Sequence, residues 1–308
     1  RLKQALDLAV KHHSTGNLSE AEDIYQQILQ ANPHEPAALH LLGVIAHQKG
    51  ENDRAVDLIN KALAIKPDYP EACSNLGAAL KDLGRLDEAI TSYHKAIKIK
   101  PDYAEAHNNL ANLHRELRQN ENAVLHCKKA IEIKPDYAGA HTNFGLILQQ
   151  LGQLVDAVSQ HQKAIEFAPD YAAAHFNQGL ALHKLGQLNE AVIQYRKAIK
   201  IGPALAGANN NFGNALKELG RPKEAVVHYN KAIDIEPNSY EAQNNLGTAL
   251  LEVGQIEEAL VHYHKAIAIR PDNAEAHCNI GAALRQIGKI RSATVHLQKA
   301  IEIDPTLV

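Results

Sequence analysis

Within residues 70–103, apolar side chains fall at helical spacing twice over, first as Cys73, Leu76, Gly77 and Leu80, then as Ala89, Tyr93, Ala96 and Ile97. Recurrence every three or four residues gathers each set on one face of a helix, and the two faces suit each other. The stretch therefore predicts a helical hairpin. Between its halves stands Gly84, where a left-handed turn closes the first helix, and after them Pro101, which ends the second. The pattern then starts again. Pro33, Pro67, Pro101, Pro135, Pro169, Pro203, Pro237, Pro271 and Pro305 follow one another at 34 residues without one insertion. A strict period of that length indicates stacked two-helix units, whereas a coiled coil needs a period of seven and no such punctuation.

Counted from Leu2, the units are 2–35, 36–69, 70–103, 104–137, 138–171, 172–205, 206–239, 240–273 and 274–307, one solenoid over 1–308. Alanine fills the column Ala21, Ala55, Ala89, Ala123, Ala157, Ala191, Ala225, Ala259 and Ala293, and a second column runs from Ala62 to Ala300. Side chains this small let helices approach towards the short end of the ~8–10 Å interaxial range. Gly16, Gly50, Gly84, Gly152, Gly186, Gly220, Gly254 and Gly288 mark the mid-repeat turn, with Arg118 in their place once. Asp68, Asp102, Asp136, Asp170 and Asp272 follow the prolines and are expected to help cap the next first helix.

Leu-Gly in the first helix, Ala and Tyr in the second, and Pro at the end resemble the tetratricopeptide repeat family across residues 2–307. The resemblance implies an all-α fold, a right-handed superhelical solenoid of nine stacked helix pairs whose first helices line a concave groove.

Several positions depart from the pattern. Unit 2–35 matches least well, as expected of a capping end repeat. Gln178 stands where other units carry Leu42, Leu76, Leu110, Phe144, Phe212, Leu246 or Ile280, so a buried glutamine in need of partners is expected there. It reads either as local repacking or as function. The junction Gly202-Pro203-Ala204-Leu205 lacks the usual Asp-Tyr pair and reads as a flexible point. The chain stops at Pro305-Thr306-Leu307-Val308, where another first helix would begin, so Leu297, Ile301 and Ile303 are expected to be partly uncovered and the chain to be a piece of a longer one.

Composition narrows the function. A net charge of −3 gives no general attraction to nucleic acid or anionic membrane. The lysine column Lys61, Lys95, Lys129, Lys163, Lys197, Lys231, Lys265 and Lys299 is interspersed with acids and lacks aromatic platforms, so it reads as a solvated convex face. No apolar run approaches the ~20 residues of a membrane span. Cys73, Cys127 and Cys278 form neither a disulfide framework nor a zinc spacing, which favours a reducing, cytoplasmic setting. His107, His141, His175 and His277 share one column, a full repeat apart, too far for one ion with ligands at about 2 Å. No catalytic motif and no convergent pair of carboxylates is present, so neither enzyme chemistry nor a cofactor or metal is expected.

The functional signal is a ladder, Asn75, Asn109, Asn143, Asn177, Asn211, Asn245 and Asn279, one per unit and one residue before the packing position. Each amide offers a donor and an acceptor, matching the N–H and C=O of an extended peptide. Two readings stand together: the amides hold a guest backbone, or they bond to the neighbouring repeat. Asn112 and Asn214 enlarge the amide surface, and Leu146, Phe176 and Leu180, with Gly139 and Ala173, suggest an apolar pocket. Lys81, Arg115, Lys217 and Arg285 run beside several glutamates, so ionic contacts to a partner would respond to salt. The position one residue before the ladder lacks the lysines of carboxylate-clamp domains, which disfavours a chaperone tail.

The ladder, with Asn244-Asn245-Leu246-Gly247, is similar to the N-terminal arm of O-linked N-acetylglucosamine transferases and their bacterial relatives. That resemblance implies an arm delivering protein substrates to a transferase domain. The partner is accordingly a protein or extended peptide. The alternative is a structural scaffold that self-associates through the uncovered C-terminal face.

Overall fold

A computed structural model describes residues 2–306; Leu307 and Val308, the end of the last predicted unit, lie outside the described residues. Eighteen α-helices follow one another, nine consecutive pairs, with no strand among the described residues. The chain divides into two compact units, 1–147 and 148–308. The first holds α1 (Leu2–Ser14) with α2 (Leu18–Ala31), α3 (Pro36–Gln48) with α4 (Asn52–Ile65), α5 (Pro70–Asp82) with α6 (Leu86–Ile99), and α7 (Ala104–Glu116) with α8 (Asn120–Ile133). The division falls within α9 (Ala138–Gln150), and α10 (Leu154–Phe167) opens the second unit. There follow α11 (Ala172–Lys184) with α12 (Leu188–Ile201), α13 (Ala206–Glu218) with α14 (Pro222–Ile235), α15 (Tyr240–Glu252) with α16 (Ile256–Ile269), and α17 (Ala274–Gln286) with α18 (Ile290–Ile303).

What joins a pair is a side chain seated on a glycine. A Cβ built on Gly77, Gly179, Gly213 or Gly247 would come within 2.6–2.7 Å of the ring of Tyr93, Tyr195, Tyr229 or Tyr263 respectively. The glycine is required by the ring lying across it, not by its own backbone. Ile59 and Leu297 lie as close over Gly43 and Gly281, at 2.6 Å, whereas in the fourth repeat Ala111 takes the glycine position and Cys127 stands where the tyrosine would be. Both are fully buried. The alanine columns are likewise buried, from Ala21 to Ala300.

The turns follow the expected chemistry. At Gly84 (φ 74°) the Gly84 N–H donates to the Lys81 carbonyl and the Arg85 N–H to the Leu80 carbonyl, both at 2.9 Å. This double bond pattern satisfies carbonyls that the helix end would orphan. Arg118 keeps the same pattern, donating to Arg115 at 3.0 Å while Gln119 donates to His114 at 2.8 Å, with its own φ at 57°. A side chain in that region is strained.

The aspartate caps are not formed. The N-caps of α5, α7 and α11 are Tyr69, Tyr103 and Tyr171, none with a side-chain cap bond. Asp68, Asp102 and Asp170 stand one residue too early to reach the first turn, and Asp272 instead accepts from Arg270 while Asn273 caps α17. Capping by side chains is thus confined, among these, to residues in the cap position itself. Gln178 is buried as expected: its Nε2 donates to the Val158 carbonyl (3.4 Å) and Gln162 (3.1 Å), but its Oε1 has no partner.

Two stability outcomes follow. Gly247→Ala gains up to about 1 kcal/mol of helix propensity, but its methyl meets the fully buried Tyr263 ring. A net loss of about 1–3 kcal/mol is expected from overpacking, read as a lower urea midpoint. Arg118→Gly removes the left-handed strain at an exposed turn and should raise the midpoint by about 0.5–1 kcal/mol, even after the added freedom of the unfolded chain.

Candidate functional site

From α1 to α8 and from α11 to α18 each first helix packs on its own second helix, and within each of these runs, as from α10 to α11, each second helix packs on the next first helix. Successive first helices also touch one another directly: α3 with α5 and α5 with α7 in the first unit, and α11, α13, α15 and α17 in turn in the second. Helices α3, α5 and α7 in the first unit, and α11, α13, α15 and α17 in the second, therefore each form a side-by-side surface. The even-numbered helices carry the lysine column, and all eight of its members are exposed.

On the odd-helix surface the ladder asparagines are half-buried. Four of the seven reach back to the residue 35 positions earlier, one before the ladder position of the preceding repeat. Asn143 Nδ2 donates to Asn108 Oδ1 at 2.8 Å, Asn245 to Asn210 at 3.1 Å, and Asn279 to Asn244 at 3.0 Å. Asn75 Nδ2 meets His40 Nε2 at 2.8 Å. The amide can only donate there, so His40 carries its proton on Nδ1 and donates to the Tyr69 hydroxyl at 3.0 Å. Asn108 Nδ2 likewise reaches the Tyr137 hydroxyl at 3.4 Å.

At one position the acceptor itself is missing. At Asn211 the residue 35 earlier is Phe176, which accepts nothing, and Asn211 turns to the Gly207 carbonyl of its own helix at 2.9 Å. Among the described residues the side-chain amides of Asn109 and Asn177 have no partner, although the Asn177 carbonyl accepts from Gln149 at 3.2 Å. An amide that gives one N–H to the array keeps its second N–H and its oxygen. The bridge fixes its orientation without using up its capacity.

The neighbouring positions divide. Asn112 is occupied locally, donating to Glu116 at 3.0 Å and accepting from Arg115 at 2.8 Å. Asn214 accepts from the hydroxyl of buried Tyr229 at 2.7 Å, as Thr248 does from Tyr263 at 3.3 Å. Its first task is to satisfy the core tyrosine. Leu180 takes that position in its own repeat, and the Tyr195 hydroxyl pairs instead with His183 at 3.3 Å. Phe176 and Leu180 are half-buried against the core of the second unit, the Phe176 ring 6.1 Å from Tyr195, while half-buried Leu146 belongs to the first unit. Charges line up on the same stride as the ladder: Lys81 bonds Glu116 at 2.9 Å and His183 bonds Glu218 at 3.0 Å, both 35 residues apart.

The repeat column of histidines has partners that its spacing did not reveal. His107 Nε2 donates to the Pro101 carbonyl (3.2 Å), which leaves Nδ1 as an acceptor, and His126, 19 residues later, supplies the proton at 3.0 Å. His277 does the same with Pro271 (3.2 Å) and His296 (3.1 Å). Elsewhere the pair becomes Asn209 with His228 at 3.2 Å, or Gln243 with His262 at 2.7 Å. The signal was available as two columns 19 apart that are polar together. Among the described residues no group of three or more His, Cys, Asp or Glu is placed to hold a metal ion. Among the described residues no helix is long and apolar enough to cross a membrane, and the three cysteines are free.

Comparison with known proteins agrees with this geometry. A TPR repeat model matches residues 79–117, 145–186, 179–220, 213–254 and 249–288, and tetratricopeptide repeat models match 12–80, 104–137, 126–159 and 274–307. The chain belongs to the tetratricopeptide repeat family. No curated protein matches it. Among solved structures it is similar to YrrB, described as a TPR protein with an unusual peptide-binding site, at 27% identity and a TM-score of 0.52 over 58% of this chain and 92% of that one. It shares its fold with the APC/C hetero-tetramer Cut9–Hcn1 at 17% identity and a TM-score of 0.71, over 87% of this chain and 52% of that one. MamA shares the fold at 22% identity and a TM-score of 0.50, over 53% of this chain and 95% of that one.

Burial holds His40, His126, His161 and His228 down at about 4. A depressed histidine is neutral in the fold, so its contribution is complete above an unfolded value of about 6.5 and is lost as pH falls from there towards the folded value. For His40 and His161, which are almost wholly buried, moving from pH 7.5 to 5 should cost about 2 kcal/mol each. Urea midpoints should fall over that window, and His161→Gln should flatten the dependence.

Proposed function

We propose that the odd-helix surface grips extended polypeptide segments through their main chain, with the asparagine ladder as the grip. One observation carries this reading. Four ladder amides, Asn75, Asn143, Asn245 and Asn279, are held in register by bonds to the preceding repeat, yet each of these keeps its oxygen and a second N–H for a guest. Such an amide is ordered before a guest arrives, so binding costs less side-chain freedom. Contacts to main-chain atoms are indifferent to the guest's sequence, which suits an adaptor for many segments. Similarity to YrrB, a TPR protein described as having a peptide-binding site, supports the same reading.

The tetratricopeptide repeats of this chain form a protein-interaction scaffold. The resemblance of the ladder to the arm of O-linked N-acetylglucosamine transferases adds a proposed role, recruiting protein substrates in the cytoplasm for a glycosyltransferase domain, with no catalysis by these repeats. A second reading, self-association, is favoured by α18, where Ile301 is 45% exposed and Leu297 and Ile303 are half-buried. It predicts that Ile301→Lys abolishes any concentration-dependent association.

Asn109 and Asn177 give the cleanest test, because their side chains support nothing else. Against a peptide selected from a random display library, Asn109→Ala or Asn177→Ala should each weaken binding about two- to tenfold, the value of a net hydrogen bond. Thermal stability should stay unchanged. Unaltered affinity in both variants, across several selected peptides, would remove the ladder from the binding site.

A further inference from the structure

In the first unit a cation sits over a ring at three successive junctions between repeats, from the second repeat onward. Lys66 Nζ lies 4.3 Å from the Tyr69 ring centroid, Lys100 4.9 Å from Tyr103, and Lys134 5.1 Å from Tyr137. Lys134 also approaches Glu105, 29 residues earlier, at 3.9 Å. The junction plugs itself with its own lysine, tyrosine and glutamate.

In the second unit the junction between α13–α14 and α15 has lost all three parts. Glu236 stands in the column of Lys66, Lys100 and Lys134, Ser239 in that of Tyr69, Tyr103 and Tyr137, and Gly207 in that of Glu105. What remains is a cavity of about 260 Å³ with Ala206, Ala232 and Ala242 in its wall. Gly207, Asn210, Ser239, Glu236 and Glu241 supply the rest of its lining. The sign of the junction is inverted and its volume is open.

The polar groups are set as acceptors. Glu241 accepts a long bond from Ser239 Oγ, at 3.4 Å, and interacts with the Tyr240 hydroxyl, both neutral donors. In the next repeat the equivalent Glu275 is bonded by Asn244 at 3.0 Å, whereas Asn210 makes no such bond to Glu241. Asn210 Oδ1 points to the incoming Asn245 amide at 3.1 Å and has a lone pair left. The nearby cation in the lysine column, Arg270, is turned onto Tyr240, bonding its hydroxyl at 2.5 Å, and onto Asp272 at 3.3 Å. Among the described residues no lysine or arginine is bonded to either carboxylate.

We infer that this cavity is a specificity subsite that takes a lysine or arginine side chain of the bound segment. The guest's cation replaces the one this junction lacks, its stem lying on the alanines and its head between Glu236 and Glu241. Charge-assisted bonds of this kind are the strong ones, and at a partly open site they weaken with salt. Asn210 links the subsite to the ladder through Asn245, so a main-chain grip and a side-chain reader adjoin within one unit. That the cation belongs to an extended segment rests on the proposed function; the cavity's preference for a cation does not.

The test uses the full chain and a probe too small to need the ladder, Nα-acetyl-lysine methylamide, with the norleucine analogue as control. Backbone amide resonances of Gly207 and Ser239 are followed by NMR. The lysine compound should shift them saturably and the norleucine compound should not; 0.5 M salt should weaken the effect about tenfold or more. Glu236→Lys should abolish it and Glu241→Gln should weaken it severalfold, with helix content unchanged since both side chains are exposed. Equal shifts from both compounds, no saturable shift, or an unchanged response in Glu236→Lys would overturn the subsite. Asn177→Ala leaves this assay alone while weakening selected peptides, so failure of the ladder and failure of the subsite are told apart.

Discussion

The contact of a tyrosine ring with a glycine, repeated from Gly77 and Tyr93 to Gly247 and Tyr263, sets how closely two helices of a pair can lie. Gly43 under Ile59 and Gly281 under Leu297 close the same way, so pairs with this contact can keep a common spacing. Only then does a residue meet the one 35 positions before it again and again. The ladder bonds at Asn143, Asn245 and Asn279 are consequences of that constant spacing rather than its cause. Net hydrogen bonds of about 0.5–1.5 kcal/mol cannot impose a helix separation against buried packing, but packing can place them.

The repeat period, the turn glycines and the buried alanine columns were legible in the sequence because each depends on a local rule: a left-handed turn, an ended helix, a close approach. The aspartates misled because capping needs the right position as well as the right side chain, and Asp68 or Asp102 lies one residue short of it. The cross-helix partnerships were hidden for another reason. Whether Asn75 reaches His40, or His107 reaches His126, depends on how one helix is rotated against another, which no single helix encodes. Phe176 shows what was recoverable: a column of acceptors interrupted by a residue that accepts nothing.

Those partnerships also change how the ladder is understood. Read from sequence, its amides either held a guest or bonded to a neighbour. The geometry makes these compatible, because an amide has more hydrogen-bonding capacity than one bridge uses. Bonding to the neighbour is what would make a long, flexible surface ready to bind. The departures from regularity, at Phe176, Gly207 and Glu236, gather in the second unit, where loss of an internal contact leaves an apolar face or an open charged cavity. In a repeat protein, individuality of this kind is where discrimination between guests has room to arise.

The most direct measurement is a crystal structure of the chain with a selected peptide bound. The account predicts an extended guest on the odd-numbered helices, with its N–H and C=O groups within about 2.7–3.2 Å of successive ladder amides. A guest seated on the even-numbered helices, or held by side-chain contacts with the ladder amides untouched, would contradict it.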